Sequence, residues 1–232
     1  MAALTVDVII PALDEEEALP KVLAAVPAFV RRIVVADNGS TDGTADAARR
    51  GGAEVVFEGE RGYGAACLRA IAHLKNDPPD VVVFLDGDFS DDPSELRRVA
   101  DPIADGADLV IGSRVARGRG LDRQRGALKP VQRFGNAVAC TGLYWLYGVR
   151  FSDLGPFRAI RWDALIAMNM VDRNWGWTVE MQIKAAKLGL RCDEVAVSYR
   201  RRGGGASKVS GTIKGSVMAG TKILWLLARH AA

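Results

Sequence analysis

The sequence predicts an α/β domain with a mostly parallel central sheet and helices on both faces. Three observations carry this. Strand-like and helix-like segments alternate from Val6 to Ser113. The strand-like segments are unbroken apolar runs such as VVVFL and LVI, the mark of strands buried on both faces. Polar clusters follow those runs at Pro11 to Glu15, Asp37 to Asp42, Asp86 to Asp88 and Gly112 to Arg114. Ligands on parallel sheets bind beyond the carboxyl ends of strands, so these loops should converge on one crevice.

In order along the chain, VDVIIPA reads as a first strand and Glu15 to about Ala28 as a helix. RRIVVAD is a second strand, and Thr41 or Asp42 in the turn NGSTDGT is suited to cap the helix ADAARR. AEVVFE is a third strand, and RGYGAACLRAIAHL opens on glycines and becomes a helix. PDVVVFLDGD is a fourth strand, with a helix starting near Asp92 and Pro93, and ADLVIGS is a fifth. GRGLDRQRG is a basic, Gly-rich loop, and a long helix should run from about Lys129 to Tyr147. FSDLGPFRAIR reads as a turn between two short strands, WTVEMQIKAAKLG as a helix stopped by Gly189, and RCDEVAVSYR as a last strand. RRGGGASK is a loop. Residues 1–208 therefore form one domain, and 209–232 a C-terminal amphipathic helix packed on it or on a membrane surface.

The 232 residues are 49% hydrophobic, enough for a sizeable core, and the net charge of +3 gives no reason to expect nucleic acid as a partner. The basic residues are uneven, however. Arg114, Arg117, Arg119, Arg123, Arg125, Lys129 and Arg133 form one cluster and Arg200 to Arg202 another, which suits an anionic ligand or a membrane face. Cys67, Cys140 and Cys192 lie far apart, with no paired spacing for zinc, as expected in a reducing compartment. VMAGTKILWLLA is too short to span a bilayer and contains Lys222. No secretory signal precedes the first strand, so a cytoplasmic protein is expected, with the inner face of the plasma membrane as a further site.

Asp86 and Asp88 close a buried strand, and residues two apart in extended chain point the same way. Two such carboxylates repel unless a cation joins them, and Mg²⁺ takes one or two carboxylates with substrate phosphates completing its shell. Asp91 and Asp92 are expected to start the next helix beside Pro93. Asp37 at a strand end is placed to accept from a nucleobase N–H. Trp175 and Trp177 either stack on an acceptor or pack in the core. Glu180 is a candidate base, whereas His73 and His230 look like ordinary helix-face residues.

VIIPALDEEEAL, VVADNGSTDGT, RGYGAACLRAI, VVVFLDGDFSDDPSEL, LVIGSR, FSDLGPFRAI and WTVEMQIKAAKLGLRCDEVAVSYRRRGGGASK together resemble the inverting family 2 glycosyltransferases of the GT-A fold. They are most similar to the dolichyl-phosphate and polyprenyl-phosphate sugar transferases. The resemblance implies a UDP- or GDP-sugar donor, a lipid-phosphate acceptor, Mg²⁺ or Mn²⁺ as cofactor, and leaves a homodimer open. It implies donor contacts from Pro11, Asp14, Glu15, Asp37, Gly62, Asp86, Gly87 and Asp88, with the metal on Asp86 and Asp88. It gives Asp153, Asp88 and Arg114 catalytic roles, and Arg114, Arg133, Arg202, Ser207 and Lys208 the acceptor and phosphates, with Asn136 nearby. Ser90 stands where dolichyl-phosphate mannose synthases carry a metal-holding glutamine, Gly87 where they carry alanine, and Pro156 precedes Phe157 where glycine is usual. Two alternatives stay open: a hydroxyl acceptor with Asp153 as base, and a non-catalytic nucleotide-sugar binding module. A nucleotidyltransferase would need a G-x-G-T-R loop where this chain has PALDEEE.

Overall fold

The computed structural model describes residues 4–116, 128 and 130–204. The basic loop from Arg117 to Arg125, Lys129, Ser207, Lys208, Lys214, Lys222, Trp225, Arg229, His230 and the 209–232 helix lie outside the described residues.

Seven strands form one sheet: β1 (Val6–Ala12), β2 (Arg32–Asp37), β3 (Glu54–Phe57), β4 (Val81–Phe84), β5 (Leu109–Ser113), β6 (Arg158–Arg161) and β7 (Cys192–Ala196). Their order is β3-β2-β1-β4-β6-β5-β7. All pairings are parallel except those of β6, which runs antiparallel to β4 and β5. The expected mostly parallel sheet is therefore present. FSDLGPFRAIR yields one strand rather than two, and that strand is reversed.

Among the described residues seven helices cover the sheet: α1 (Leu19–Ala25), α2 (Thr44–Arg50), α3 (Tyr63–Leu74), α4 (Leu96–Ala104), α5 (Pro130–Tyr147), α6 (Trp162–Met168) and α7 (Trp177–Lys187). Because the strands are apolar on both sides, two cores form. Ile9, Phe84 and Ile111 meet α3, α5, α6 and α7 on one face, where Phe84 and Trp177 pack edge to face at 5.9 Å. Ile10, Val83 and Phe157 meet α1, α2 and α4 on the other. The first helix is shorter than its apolar pattern suggests, because Glu15 to Ala18 form a turn before it. Asp42 does reach the start of α2, its Oδ1 accepting from Thr44 N at 3.0 Å.

The polar segments gather at one rim. The strand order reverses at β1, with β2 on one side and β4 on the other, and the loops after β1 and β4 flank that switch point. The antiparallel pairing of Phe84 with Arg158 brings the 151–157 loop to the same rim.

Gly62, which also lines the rim cavity, and Gly64 make room for another chain segment. A Cβ on Gly62 would fall 2.0 Å from Arg173 O, and one on Gly64 1.9 Å from Asp172 O. The α3 start and the 172–175 segment are thereby pressed together. Gly64→Ala should cost about 1–3 kcal/mol through overpacking, read as a lower urea midpoint at unchanged slope.

Candidate active site

The rim holds a cavity of about 460 Å³. Its walls include Pro11 and Glu15 after β1, Arg61, Gly62 and Tyr63 at the start of α3, and Asp86, Gly87 and Asp88 after β4. Arg114, Gln132, Asn174, Trp175, Tyr199 and Arg202 close the other side.

Asp86 and Asp88 follow directly from the buried end of β4. Phe89 then takes a left-handed φ of 60°, a costly conformation for a bulky residue. The turn lets Asp88 Oδ1 accept from Ser90 N at 2.9 Å. Asp86 Oδ1 is buried without a hydrogen-bond partner. Lost solvation, then the charge of Asp88, push its carboxyl up to about 7. Among the described residues no third His, Cys, Asp or Glu joins these two as a ligand set. Two carboxylates with the remaining positions left to phosphate and water suit Mg²⁺ or Mn²⁺.

Arg202 faces these acids. Its Nη1 pairs with Asp88 Oδ2 at 3.0 Å, and its Nη2 with Glu15 Oε1. The segment that carries it is stitched across the Asp86–Ser90 turn. Arg200 N donates to Ser90 O and Gly203 N to Asp88 O, both at 2.8 Å, and Lys21 Nζ donates to Gly203 O at 3.0 Å.

Asp153 is fully buried and does not line the cavity. Its carboxylate accepts from Arg114 N at 2.7 Å, Nε at 2.8 Å and Nη2 at 2.8 Å. Burial alone would lower the Arg114 pKa, yet the bonds and charge of Asp153 raise it. Asp153 thus fixes Arg114, and Arg114 meets the cavity. The 152–155 loop is held in turn by Glu194 on Ser152 N at 2.8 Å, Asn136 on Leu154 N at 2.8 Å and Gln182 on Asp153 O at 3.0 Å. Arg158, wholly buried, donates to Leu154 O, Gly155 O and Thr178 O. Burial pulls its guanidinium down to about 10.

Several expected roles change. Asp91 does not start a helix. It is 1% exposed, forms a bridge with Tyr199, and neither carboxylate oxygen has a hydrogen-bond partner. Burial, then the charge of Asp86, holds its carboxyl well above the usual range. Asp92 does cap the short turn Pro93–Glu95, accepting from Ser94 N at 3.1 Å. Glu180 is buried away from the cavity, binding Asp172 N at 2.7 Å and Lys184 at 2.7 Å, so it anchors the segment leading to Asn174 and Trp175. Trp177 is core, whereas Trp175 lines the cavity. His73 pairs with Glu54 at 2.6 Å.

Asp14 and Asp37 bind loops rather than the cavity: Asp14 Oδ1 accepts from Thr41 N at 2.8 Å, and Asp37 Oδ1 from Ser40 N at 2.9 Å. Arg133 is exposed on α5, outside the lining. Arg61, Tyr63, Gln132, Asn174 and Tyr199 also line the cavity. Arg61, Tyr63 and Tyr199 lie within matching segments of the sequence, whereas Gln132 and Asn174 carry no such signal.

A nucleotide-sized crevice at the switch point of such a sheet, with paired aspartates on one side and a fixed arginine on the other, defines a GT-A glycosyltransferase. The chain belongs to glycosyl transferase family 2, whose model matches residues 7–176. It is 41% identical to an uncharacterized glycosyltransferase of Mycobacterium tuberculosis over 222 residues, 94% of this chain and 96% of that protein. It is 31% identical to the undecaprenyl-phosphate mannosyltransferase of Micrococcus luteus over 233 residues, covering 95% of this chain and 94% of that one. In fold it resembles glucosyl-3-phosphoglycerate synthase of M. tuberculosis, crystallised with Mn²⁺, UDP and phosphoglyceric acid. That match has a TM-score of 0.77 and 21% identity, covering 99% of this chain and 79% of that one. Among the described residues, no helix is long and apolar enough to cross a membrane.

A cation arriving at Asp86 competes with its proton. Below about pH 7 the cation-free carboxyl is protonated. Mn²⁺ affinity, measured by calorimetry, should therefore fall by up to about tenfold per pH unit below that point. Arg202 is a second competitor, so Arg202→Gln should tighten Mn²⁺ binding severalfold when nucleotide is absent.

Proposed function

We propose that the protein transfers a sugar, with inversion, from a UDP- or GDP-sugar to a polyprenyl phosphate. The carrying observation is the distribution of charge in the cavity. Its described acids are Glu15, which pairs with Arg202, and the Asp86–Asp88 couple, while Arg61, Arg114 and Arg202 supply positive charge. A hydroxyl acceptor needs a carboxylate free to take its proton. Asp153, the candidate for that task, is bound on both oxygens by Arg114. A phosphate acceptor is already anionic and requires only cations to hold it. The undecaprenyl-phosphate mannosyltransferase named above supports the same reading.

The base and ribose enter between the ends of β1 and β2, where Pro11 and Asn38 line the wall. Asp37, through Ser40, and Asp14, through Thr41, fix the loop at that wall, and Glu15 lines it. Asp86 and Asp88 would hold the Mg²⁺ or Mn²⁺, which when bound neutralises charge developing on the leaving nucleoside diphosphate. Arg202 passes from Asp88 to phosphate oxygens as the donor arrives. Arg114, kept in one orientation by Asp153, holds the acceptor phosphate for attack on the face of the anomeric carbon opposite the leaving group. Ser207, Lys208 and Arg133 assist at the acceptor side. The reaction belongs to the cytoplasmic side of the membrane, where nucleotide sugars are made.

A screen of UDP- and GDP-sugars against polyprenyl phosphates and hydroxyl acceptors, with Mg²⁺ or Mn²⁺, tests this by released nucleoside diphosphate. Turnover should require a phosphate acceptor, and Asp88→Ala should reduce it at least a hundredfold. Equal turnover with a neutral sugar acceptor would overturn the reading, and full activity of Asp88→Ala would remove the metal role.

A further inference from the structure

We propose that α5 docks flat on an anionic lipid surface and sets the cavity at its edge, an inference that rests on the lipid-phosphate reading. Eleven large apolar side chains are exposed on the described surface, and six of them belong to this one helix: Val131, Phe134, Val138, Tyr144, Trp145 and Leu146. Phe134 is 72% and Trp145 79% exposed. Concentration of this kind marks an interaction surface rather than ordinary scatter.

Four of the six share one face, with Tyr144 and Leu146 to either side of it. At about 100° per residue, Val131, Phe134, Val138 and Trp145 fall within an arc of about 60°. The side that faces the core is formed by Ala139, Cys140 and Leu143, roughly opposite. One face thus packs on the sheet and the other presents a stripe some four turns long.

Charge selects the occupant. Helix α5 contains no acid, Arg133 is exposed on its flank, and exposed Arg150 follows it with its guanidinium 4.9 Å over the Tyr144 ring. A second copy meeting this face across a two-fold axis would bring no α5 acid to these arginines. Anionic headgroups pair with them directly, and Trp and Tyr suit the boundary between headgroup and acyl chain. An apolar stripe with basic flanks on a helix too polar to insert is the pattern of an interfacial helix.

The same helix builds the acceptor wall. Gln132, in its first turn, lines the cavity. Asn136, one turn on, donates to Ser152 O at 2.9 Å and accepts from Leu154 N at 2.8 Å, clasping the residues on either side of Asp153. A lipid phosphate held in a bilayer under α5 would therefore lie beside the residues that fix Arg114.

The test is co-sedimentation of the full chain with vesicles of phosphatidylglycerol and phosphatidylethanolamine, without donor or acceptor. Wild type should bind, and Phe134→Ser/Trp145→Ser should bind at least tenfold more weakly at an unchanged thermal midpoint. Leu188→Ser, which removes an exposed apolar side chain elsewhere, should bind like wild type. Brominated lipid should quench wild-type fluorescence, and Trp145→Phe should lose most of that quenching. The proposal is overturned if wild type ignores the vesicles, if the double variant binds as well as wild type, or if wild type is a dimer that the double variant dissociates. Because no acceptor is present, these outcomes are independent of whether polyprenyl phosphate is the substrate. In the activity arm, the double variant should match wild type on a short, water-soluble prenyl phosphate and fall behind on a long-chain one in vesicles.

Discussion

The ion pair between Asp153 and Arg114 is the interaction on which the Arg114 side of the cavity depends. A buried pair is costly to desolvate, and it survives only where hydrogen bonds satisfy every remaining atom. Here the carboxylate takes three bonds from one arginine, backbone amide included. The loop beneath it is fixed by side chains from α5, α7, β6 and β7. Elements distant in sequence therefore converge on the position of one guanidinium. Rigidity of this kind suits the role proposed for Arg114, which is to hold a reactant in line.

At Asp86 and Asp88 the electrostatics run the other way. Asp86 and Asp88 are crowded on a turn strained at Phe89, and like charge raises the cost of ionising both. Arg202 relieves part of that repulsion, and the protonated state favoured for Asp91 keeps a further buried charge out of the site. Under the proposed function, such a site would accept a cation and a polyanion together more readily than either alone.

Much of this was legible in the sequence, for identifiable reasons. The strands are continuous apolar runs, so their place in a covered parallel sheet followed from burial on both faces. Asp86, Asp88, Glu15, Pro11, Arg114 and Arg202 were found because they sit at strand ends or in motifs, and they do meet at one cavity. The reversed direction of β6 was not legible, since the four residues RAIR have the same pattern in either orientation. Asp91 was misplaced because sequence shows an acid before a proline and not the chain of Tyr199 crossing over it. Glu180 went astray likewise: a buried acid that ties down a loop is defined by the partners it meets in the fold.

The reversed strand divides the sheet. Strands β3, β2, β1 and β4 form an all-parallel block whose loops include those bearing Glu15, Asp86 and Asp88, while β6, β5 and β7 carry the segments that place Arg114 and its supports. The four side chains that clasp the 152–155 loop all come from α5 onward. This second half is in that sense a separable attachment: its helix and loop can change length or surface character while the parallel ladder stays in register. Under the proposed function, one scaffold could accordingly be refitted to new recipients without rebuilding how it activates its sugar.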